Sequence, residues 1–239
     1  TFRTVDVVGL DTLVHVANGL YENVPNDEAH ELFKLPDFIN HMMENKWLGS
    51  KTKQGFYKKV DKDILSLDLN TLEYRPNKKA SFQTLELTKT IDNVIDRFKV
   101  LVNGKDKAGE FYRKSFAGLF AYVSNRVPEI TDDLYKIDDA MKAGFGWEHG
   151  PFQIWDAIGV EKGIELIKEN GENVAEWVNE MLASGNKSFY TIKEGATYYY
   201  DIDSKSQKKI PGQDAFIILN NIRDTKKDWS NSDSTLLDL

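Results

Sequence analysis

The sequence predicts a mostly helical protein built from two related units. A ten-residue pattern, F-x-x-[apolar]-D-[apolar]-[apolar]-G-[apolar]-[acidic], occurs at residues 2–11 and again at residues 152–161. Apolar residues after each copy recur at helical spacing, and glycines or Asn-Gly pairs follow them as helix stops. A repeated segment of this kind indicates duplicated structural units.

The composition restricts the class of protein. The 239 residues are 41% hydrophobic and 29% charged, which is typical of a soluble globular chain. The absence of cysteine excludes disulfides, thiolate metal sites and a cysteine nucleophile, and it fits a reducing compartment. The net charge of -7 argues against a nucleic-acid surface. No apolar run approaches the roughly 18 residues of a membrane span. We therefore expect a cytoplasmic protein with no nucleic-acid partner and no membrane span.

The first unit is expected to contain two helices and an aromatic strand. Apolar positions over residues 7–17 predict a helix that ends near Asn18-Gly19. Pro36 is suited to the first turn of a second helix. Residues 51–57 then predict a turn into an extended aromatic segment.

The second unit repeats this order. Helices are predicted after Gly159, stopping at Asn170-Gly171, and over residues 174–182. The segment at residues 193–200 is aligned with the aromatic strand of the first unit. On this alignment 49 positions separate Asp6 from Gly55 and 39 separate Asp156 from Gly195, so the second copy is about ten residues shorter.

The rest of the chain is expected to hold a hairpin at residues 64–74 and further helices. Stripes of apolar residues predict these helices at residues 87–101, at residues 116–127 before Pro128, and at residues 131–142. Polar residues predict a loop at 201–213 and an exposed linker at 228–234.

The histidines do not form a recognisable catalytic or metal-binding pattern. His15, His30, His41 and His149 lack the i, i+4 pairing and the H-E-x-x-H motif of zinc sites, so no metal site is expected. Glu148 precedes His149, but adjacent side chains on a regular element point apart, which argues against an acid–base pair.

The glycine-rich segment at residues 144–150 is not a dinucleotide-binding loop. Its G-x-G-x-x-x-G spacing is one residue too long, and it follows a helical stripe where the fingerprint must follow a strand. A turn between helices, with Pro151 starting the next helix, is the favoured interpretation. A G-x-S-x-G nucleophile motif is also absent from the sequence.

The repeated acids, Asp6 and Asp156, admit a catalytic or a structural interpretation. The structural one is favoured, because each acid is expected near a helix start, where a carboxylate satisfies free amide donors. Gly9 and Gly159 would then permit close helix packing. The residues by themselves therefore indicate a helical repeat module without a catalytic constellation.

Several motifs together resemble a known family. Residues 137–147, Gly150-Pro151-Phe152, Trp155-Asp156 and Gly159 resemble the C-terminal domain of 3-hydroxyacyl-CoA dehydrogenases. The first copy, with Lys51-Thr52-x-x-Gly55-Phe56-Tyr57, is similar to the closing part of the same domain. The order of motifs resembles multifunctional bacterial fatty-acid β-oxidation proteins, which carry this domain twice and in which the dehydrogenase precedes an enoyl-CoA hydratase. The resemblance covers nearly all of residues 1–200.

The resemblance implies a mostly α fold: a tandem pair of such helical domains with small β-hairpin segments. Both ends of the chain look cut, so a fragment of a longer polypeptide is expected. The implied domains are a truncated first copy at 1–60, a hairpin and linker at 61–83, a second copy at 84–202, and, at 203–239, a linker and the start of a missing hydratase-like domain.

The resemblance also implies the chemistry of the parent protein, which would oxidise 3-hydroxyacyl-CoA to 3-ketoacyl-CoA with NAD. The family's NAD site and its catalytic His-Glu pair belong to a preceding domain. We therefore expect no catalytic, metal-binding or cofactor-binding residues here, no NAD bound by this fragment, and no turnover by the fragment alone. Asn125-Arg126 matches an Asn-Arg step that lies near the substrate in the family, but in this second copy it is expected to serve helix packing.

The residues expected to line the acyl side of the substrate cleft are Phe2, Val8 and Leu10, because an acyl chain needs apolar walls. An ordinary core position is the alternative for each of them. Apolar surface left uncovered on the first copy would favour self-association. A second hypothesis for the whole chain is a self-standing helical interaction or acyl-CoA-binding module without catalysis.

Overall fold

The computed structural model describes residues 1–223, 225–231 and 234–239. The chain divides into two compact units, residues 1–80 and residues 81–239. Helices make up most of the regular structure in the described part of the chain, so the predicted mostly α class is confirmed. Each unit has its own hydrophobic core.

The first unit is a group of helices followed by a small antiparallel sheet with strand order β1-β2-β3. Its elements are α1 (Phe2–Val8), α2 (Leu10–Asn23), α3 (Asp37–Glu44), β1 (Tyr57–Val60), β2 (Asp63–Leu67) and β3 (Tyr74–Pro76). The predicted hairpin at 64–74 is confirmed as the β2–β3 pair. The core combines helix and sheet residues: Leu10, Ile39, Met42, Phe56 and Leu67.

The single helix expected at residues 7–17 is two helices, α1 and α2, which meet at Gly9. Gly9 has a φ of 113°, a conformation that side-chain-bearing residues rarely adopt. Its N–H donates to the Val5 carbonyl at 2.7 Å and closes α1. The second helix then runs past Gly19 to Asn23, so the predicted stop at Asn18-Gly19 was wrong.

The second unit contains a larger set of helices and its own antiparallel sheet, with strand order β4-β5-β6. The helices are α4 (Gln83–Thr88), α5 (Val94–Asn103), α6 (Lys107–Ile130), α7 (Leu134–Phe145), α8 (Pro151–Ile158), α9 (Val160–Glu169), α10 (Glu176–Ala183) and α11 (Leu219–Ile222). The strands are β4 (Tyr190–Lys193), β5 (Ala196–Asp201), β6 (Ser206–Lys209), β7 (Lys227–Ser230) and β8 (Thr235–Leu237).

The core of the second unit is aromatic. The ring of Phe120, on α6, stacks on the ring of Trp155, on α8, with centroids 4.8 Å apart. Phe152 and Phe189 pack against each other at 5.0 Å. Stacked and edge-to-face pairs of this kind add to the free energy of apolar burial. Because these rings come from a long helix, a short helix and the strand region, the core joins helices to sheet.

Several local predictions were wrong in this unit. The helix expected at 87–101 is split into α4 and α5, because the Asn93 side chain accepts the Ile95 N–H at 2.9 Å and starts a new helix. The loop expected at 201–213 contains β6, which pairs with β5. Residues 228–230 of the linker expected at 228–234 belong to β7, which pairs with β8; Ser232 and Asp233 lie outside the described residues.

Helix α6 does not end before Pro128, as the sequence suggested, but continues to Ile130. Pro128 has no N–H for the carbonyl of Ser124, four residues earlier. That buried carbonyl instead accepts the indole N–H of Trp177, on α10, at 2.8 Å. A tertiary hydrogen bond thus replaces the helical one, and the helix continues through the proline.

We predict that Trp177→Phe will lower the free energy of unfolding by about 1–3 kcal/mol, because the Ser124 carbonyl would be buried without a donor. In a Pro128→Ala background the restored backbone N–H should satisfy this carbonyl, so the same substitution should cost less. Urea unfolding of the four proteins in the cycle measures the difference. An equal cost of Trp177→Phe in both backgrounds would contradict this explanation.

Candidate substrate-facing and assembly site

A carboxylate joins helix to sheet in the first unit. Asp6, a buried residue on α1, accepts the backbone N–H groups of Phe56 and Tyr57, each at 2.9 Å, one with each carboxylate oxygen. Gly55 makes this approach possible, since a Cβ at this residue would lie 2.2 Å from Asp6 Oδ1. We call this two-oxygen, two-amide arrangement the acid clamp.

The second unit has the same acid clamp. Asp156, on α8, accepts the N–H groups of Phe189 and Tyr190, both at 2.8 Å. The residue that provides the first amide of each clamp also forms the same backbone hydrogen bond to the second strand of its sheet. Leu67 N–H donates to the Phe56 carbonyl at 2.9 Å, and Tyr200 N–H donates to the Phe189 carbonyl at 2.8 Å. These bonds fix the structural alignment of the repeat.

The acid clamp corrects the sequence alignment of the aromatic strand. Gly55-Phe56-Tyr57 corresponds to Ser188-Phe189-Tyr190, not to the segment at 193–200, and Gly195 lies in the turn between β4 and β5. The clamp acid and the residue that provides its first amide donor are separated by 50 positions in the first unit and by 33 in the second. The second copy is therefore 17 residues shorter than the first, not ten. The alignment failed because a Lys-x-Gly-aromatic pattern also occurs at a hairpin turn.

The two acids therefore have a structural position that differs from the expected one. Asp6 and Asp156 lie within helices. The backbone N–H groups that donate hydrogen bonds to them belong to the start of a strand rather than to the start of a helix. Both oxygens of each carboxylate are used by backbone donors. This leaves neither acid placed as an exposed general base.

A third acid, Asp138 on α7, extends the site in the second unit. It is almost fully buried and accepts the N–H groups of Phe152 and Gln153 at 2.9 and 3.1 Å, at the first turn of α8. Its Oδ2 also accepts the Tyr190 hydroxyl at 2.8 Å. Asp138 thus links α7 to α8 and to the residue held by the Asp156 clamp. In the sequence Asp138 stands within the motif at residues 137–147, and its spacing gives no signal for these contacts.

Burial controls the charge of these groups. Desolvation raises the pKa of Asp138 to about 6, although the backbone donors and Tyr190 oppose the shift. Desolvation likewise raises the pKa of Asp156 to about 7, and the negative charge of Asp138 adds to that shift. The pKa of the Tyr190 hydroxyl is raised well above its ordinary value, first by burial and then by Asp138.

The three residues expected to line the acyl side fall in two environments. Phe2 is 46% exposed and rests on Phe56, with ring centroids 4.6 Å apart, and Val8 is 57% exposed. Leu10 is fully buried in the core of the first unit. The structure therefore places Phe2 and Val8 on the α1 surface and Leu10 beneath the surface, at the start of α2.

The other candidate groups do not assemble into a reactive centre. In the described part of the chain, no cluster of three or more His, Cys, Asp or Glu residues could hold a metal ion. Glu148 Oε1 and His149 Nε2 are 3.8 Å apart, which is beyond hydrogen-bond distance but within the range of an ion pair when His149 is protonated. The Arg126 guanidinium pairs with Glu129 at 2.5 Å and lies over the Tyr122 ring at 5.7 Å. No helix among residues 1–223, 225–231 and 234–239 is long and apolar enough to cross a membrane.

The described residues do not fit NAD. A dinucleotide needs a glycine-rich turn between a strand and a helix. The glycine-rich segment at 144–150 instead connects α7 to α8. A Cβ at Gly150 would lie only 2.3 Å from the Cβ of Asp138, so Asp138 occupies the space beside this glycine. No step of cofactor chemistry is therefore assigned to this chain.

Two copies of one arrangement, a short helix that holds a three-stranded sheet through an acid clamp, define the class: a duplicated helical domain. Residues 1–59 match the family model described as 3-hydroxyacyl-CoA dehydrogenase, C-terminal domain. The resemblance inferred from the motifs is thereby confirmed.

Curated relatives agree with this family. A Bacillus subtilis protein named "Probable 3-hydroxyacyl-CoA dehydrogenase" is 43% identical over 201 residues, which is 84% of this chain and 25% of the relative. The fatty acid oxidation complex subunit alpha of Psychrobacter cryohalolentis is 40% identical over 202 residues, 78% of this chain and 24% of the relative. A Rickettsia felis protein named as a candidate fatty acid oxidation complex trifunctional enzyme is 26% identical over 227 residues, 91% of this chain and 29% of the relative. The chain thus spans about a quarter of the length of these relatives. No solved structure matches it significantly.

We predict that Asp6→Asn and Asp156→Asn will each lower the free energy of unfolding by about 1–3 kcal/mol, because an amide offers one acceptor where two donors converge. Hydrogen exchange should speed up at residues 56–57 in the first variant and at residues 189–190 in the second. Asp11→Asn is the matched control, since the Asp11 side chain is 40% exposed and pairs with Lys51 at the surface. An effect of Asp11→Asn as large as that of Asp6→Asn would contradict the clamp.

The raised pKa values predict a pH dependence of stability. A carboxyl group whose pKa is higher in the folded than in the unfolded chain binds more protons when folded, so its stabilising contribution is lost as the pH rises. With folded pKa values of about 6 and 7, Asp138 and Asp156 should lower the free energy of unfolding between about pH 4 and pH 7. Urea unfolding at steps across this range should show the decline, and Asp138→Asn should flatten it. A stability that rises over this range would exclude the assigned shifts.

Proposed function

We propose that the intact protein is an NAD-dependent 3-hydroxyacyl-CoA dehydrogenase of fatty-acid β-oxidation, and that this chain is its helical substrate-cleft and assembly region. The family-model match over residues 1–59 carries the proposal. The names of the longer relatives support a fatty-acid oxidation role, and one of these relatives is named trifunctional. A further hydratase activity of the intact protein is part of the same proposal. A cytoplasmic location is part of the same proposal and rests on those bacterial relatives.

The proposed domains follow the repeat. Residues 1–60 and 84–202 are the two C-terminal-type domains, and residues 61–83 connect them. Part of that connection, β2 and β3, completes the sheet that begins with β1. Residues 203–239 are the proposed linker region, and their strand β6 completes the sheet of β4 and β5.

The proposed role of the chain in the reaction is to supply shape rather than reacting groups. Oxidation of a 3-hydroxyacyl thioester needs a base for the hydroxyl proton and an acceptor for the hydride. In this proposal both belong to the part of the protein that holds NAD. The contribution of this chain is an apolar wall for the acyl group, formed by Phe2 and Val8 at the α1 surface, with Leu10 fixing the start of α2 beneath them.

We predict that the chain alone will produce no NADH from a 3-hydroxyacyl-CoA and NAD, whereas the full-length protein will. In the full-length protein, Phe2→Ala should raise KM for a medium-chain substrate by roughly three- to tenfold, because about 1 kcal/mol of apolar contact is lost. Leu32→Ala is the control, since Leu32 is 83% exposed in the same unit. NADH formation by the chain alone would refute the proposed division of roles; an unchanged KM would refute only the role of Phe2.

A further inference from the structure

A groove in the second unit lies between α4 and α5 and opens to the surface. Its volume is about 470 Å³, which is within the range of sites that bind small organic molecules. We call it the α4–α5 groove. Its lining includes Thr84 and Leu87 from α4, Lys99 and Val100 from α5, and Lys105 and Asp106 from the turn that precedes α6.

The walls of the α4–α5 groove are held together by specific contacts. Thr84 is buried, and its N–H donates to Asp106 Oδ2 at 2.9 Å. The other oxygen of Asp106 accepts the Gly109 N–H at 3.0 Å, so this acid joins the start of α4 to the start of α6. A Cβ at Gly104 would lie 2.2 Å from Thr84 Oγ1, so a glycine is required where α4 meets the end of α5. The groove is therefore preformed, as binding sites for small molecules usually are.

The groove contains exposed apolar surface. Leu87 is 56% exposed although it lies on a helix that packs against α5, and Val100 is only partly buried. Covering these side chains with an apolar chain would remove their surface from water, which is favourable. The α4–α5 groove thus suits a ligand with an apolar part.

The charged groups of the groove favour an anion. Among residues 1–223, 225–231 and 234–239, no acid forms an ion pair with Lys105. Lys99 already pairs with Asp96 at 3.1 Å. The acid of the lining, Asp106, has each of its oxygens bonded to a backbone N–H. The ammonium group of Lys105 is therefore the group that an incoming ligand can pair with.

We propose that the α4–α5 groove binds a medium-chain fatty carboxylate, whose carboxylate pairs with Lys105 and whose chain covers Leu87 and Val100. A cation without a partner beside exposed apolar surface calls for a ligand that carries both a negative charge and an apolar chain. The volume of the groove favours a small molecule of this kind over a protein segment. The site is additional to the acyl wall on α1, and it does not depend on the dehydrogenase assignment.

The test is a titration of the ¹⁵N-labelled chain with decanoate, below the critical micelle concentration, followed by NMR. Saturable shifts of amide signals within residues 83–106 are the expected result. Decylammonium, which has the same chain length and the opposite charge, should bind at least about tenfold more weakly. Shifts that are confined to residues 2–10, or decylammonium binding as tight as that of decanoate, would overturn the proposal.

Three variants show whether the named side chains hold the ligand. Lys105→Gln should raise the Kd for decanoate by about three- to fivefold, because a surface charge pair is lost. Leu87→Ser should raise it by about five- to tenfold, because apolar contact is lost. Lys107→Gln is the matched control: Lys107 is also exposed but does not line the groove, so the Kd should change by less than about twofold.

Both substituted groove residues are exposed, so the variants are expected to fold, and the amide signals of residues 152–158 and 189–193 report whether they do. Equal effects of Lys105→Gln and Lys107→Gln in folded proteins would mean that decanoate responds only to the overall charge, and would overturn the proposal. An unchanged Kd in Leu87→Ser would also overturn it.

Discussion

Each unit depends on one interaction, in which a carboxylate on a short helix accepts two successive backbone N–H groups at the start of a strand. A strand that begins against a helix leaves amide donors that no neighbouring strand can satisfy, and burying them unpaired is costly. Asp6 and Asp156 satisfy both donors at once. They thereby fix where the first strand of each short sheet begins relative to the helix that carries the acid.

The two units differ in how the charge of the clamp is accommodated. In the second unit Asp138, Asp156 and Tyr190 form a connected group, and burial raises the pKa values of both acids. In the first unit the equivalent tyrosine, Tyr57, has the Arg3 guanidinium 5.5 Å from the centre of its ring. The two copies therefore share their backbone geometry but differ in the charged groups around it.

The sequence was informative where the signal was local. Apolar periodicity predicted most helices, Pro151 marked the start of α8, and the F-x-x-[apolar]-D pattern revealed the duplication. The sequence prediction failed at Pro128 because a tertiary contact overrode local chemistry: Trp177 replaces the missing donor and the helix continues. The prediction also missed the local break at Gly9, whose positive φ divides one periodic stripe into two helices. The partners of Asp6 and Asp156 lie 50 and 33 residues away, a distance at which periodicity carries no information.

The most direct test of the acid clamp is a measurement of scalar couplings across the hydrogen bonds by NMR. In the chain labelled with ¹⁵N and ¹³C, the amide nitrogens of Phe56 and Tyr57 should couple to the carboxyl carbon of Asp6, and those of Phe189 and Tyr190 to that of Asp156. Observation of all four couplings is the predicted result. Amide protons at these residues that exchange as fast as those of an exposed loop, with no coupling to either aspartate, would contradict the account.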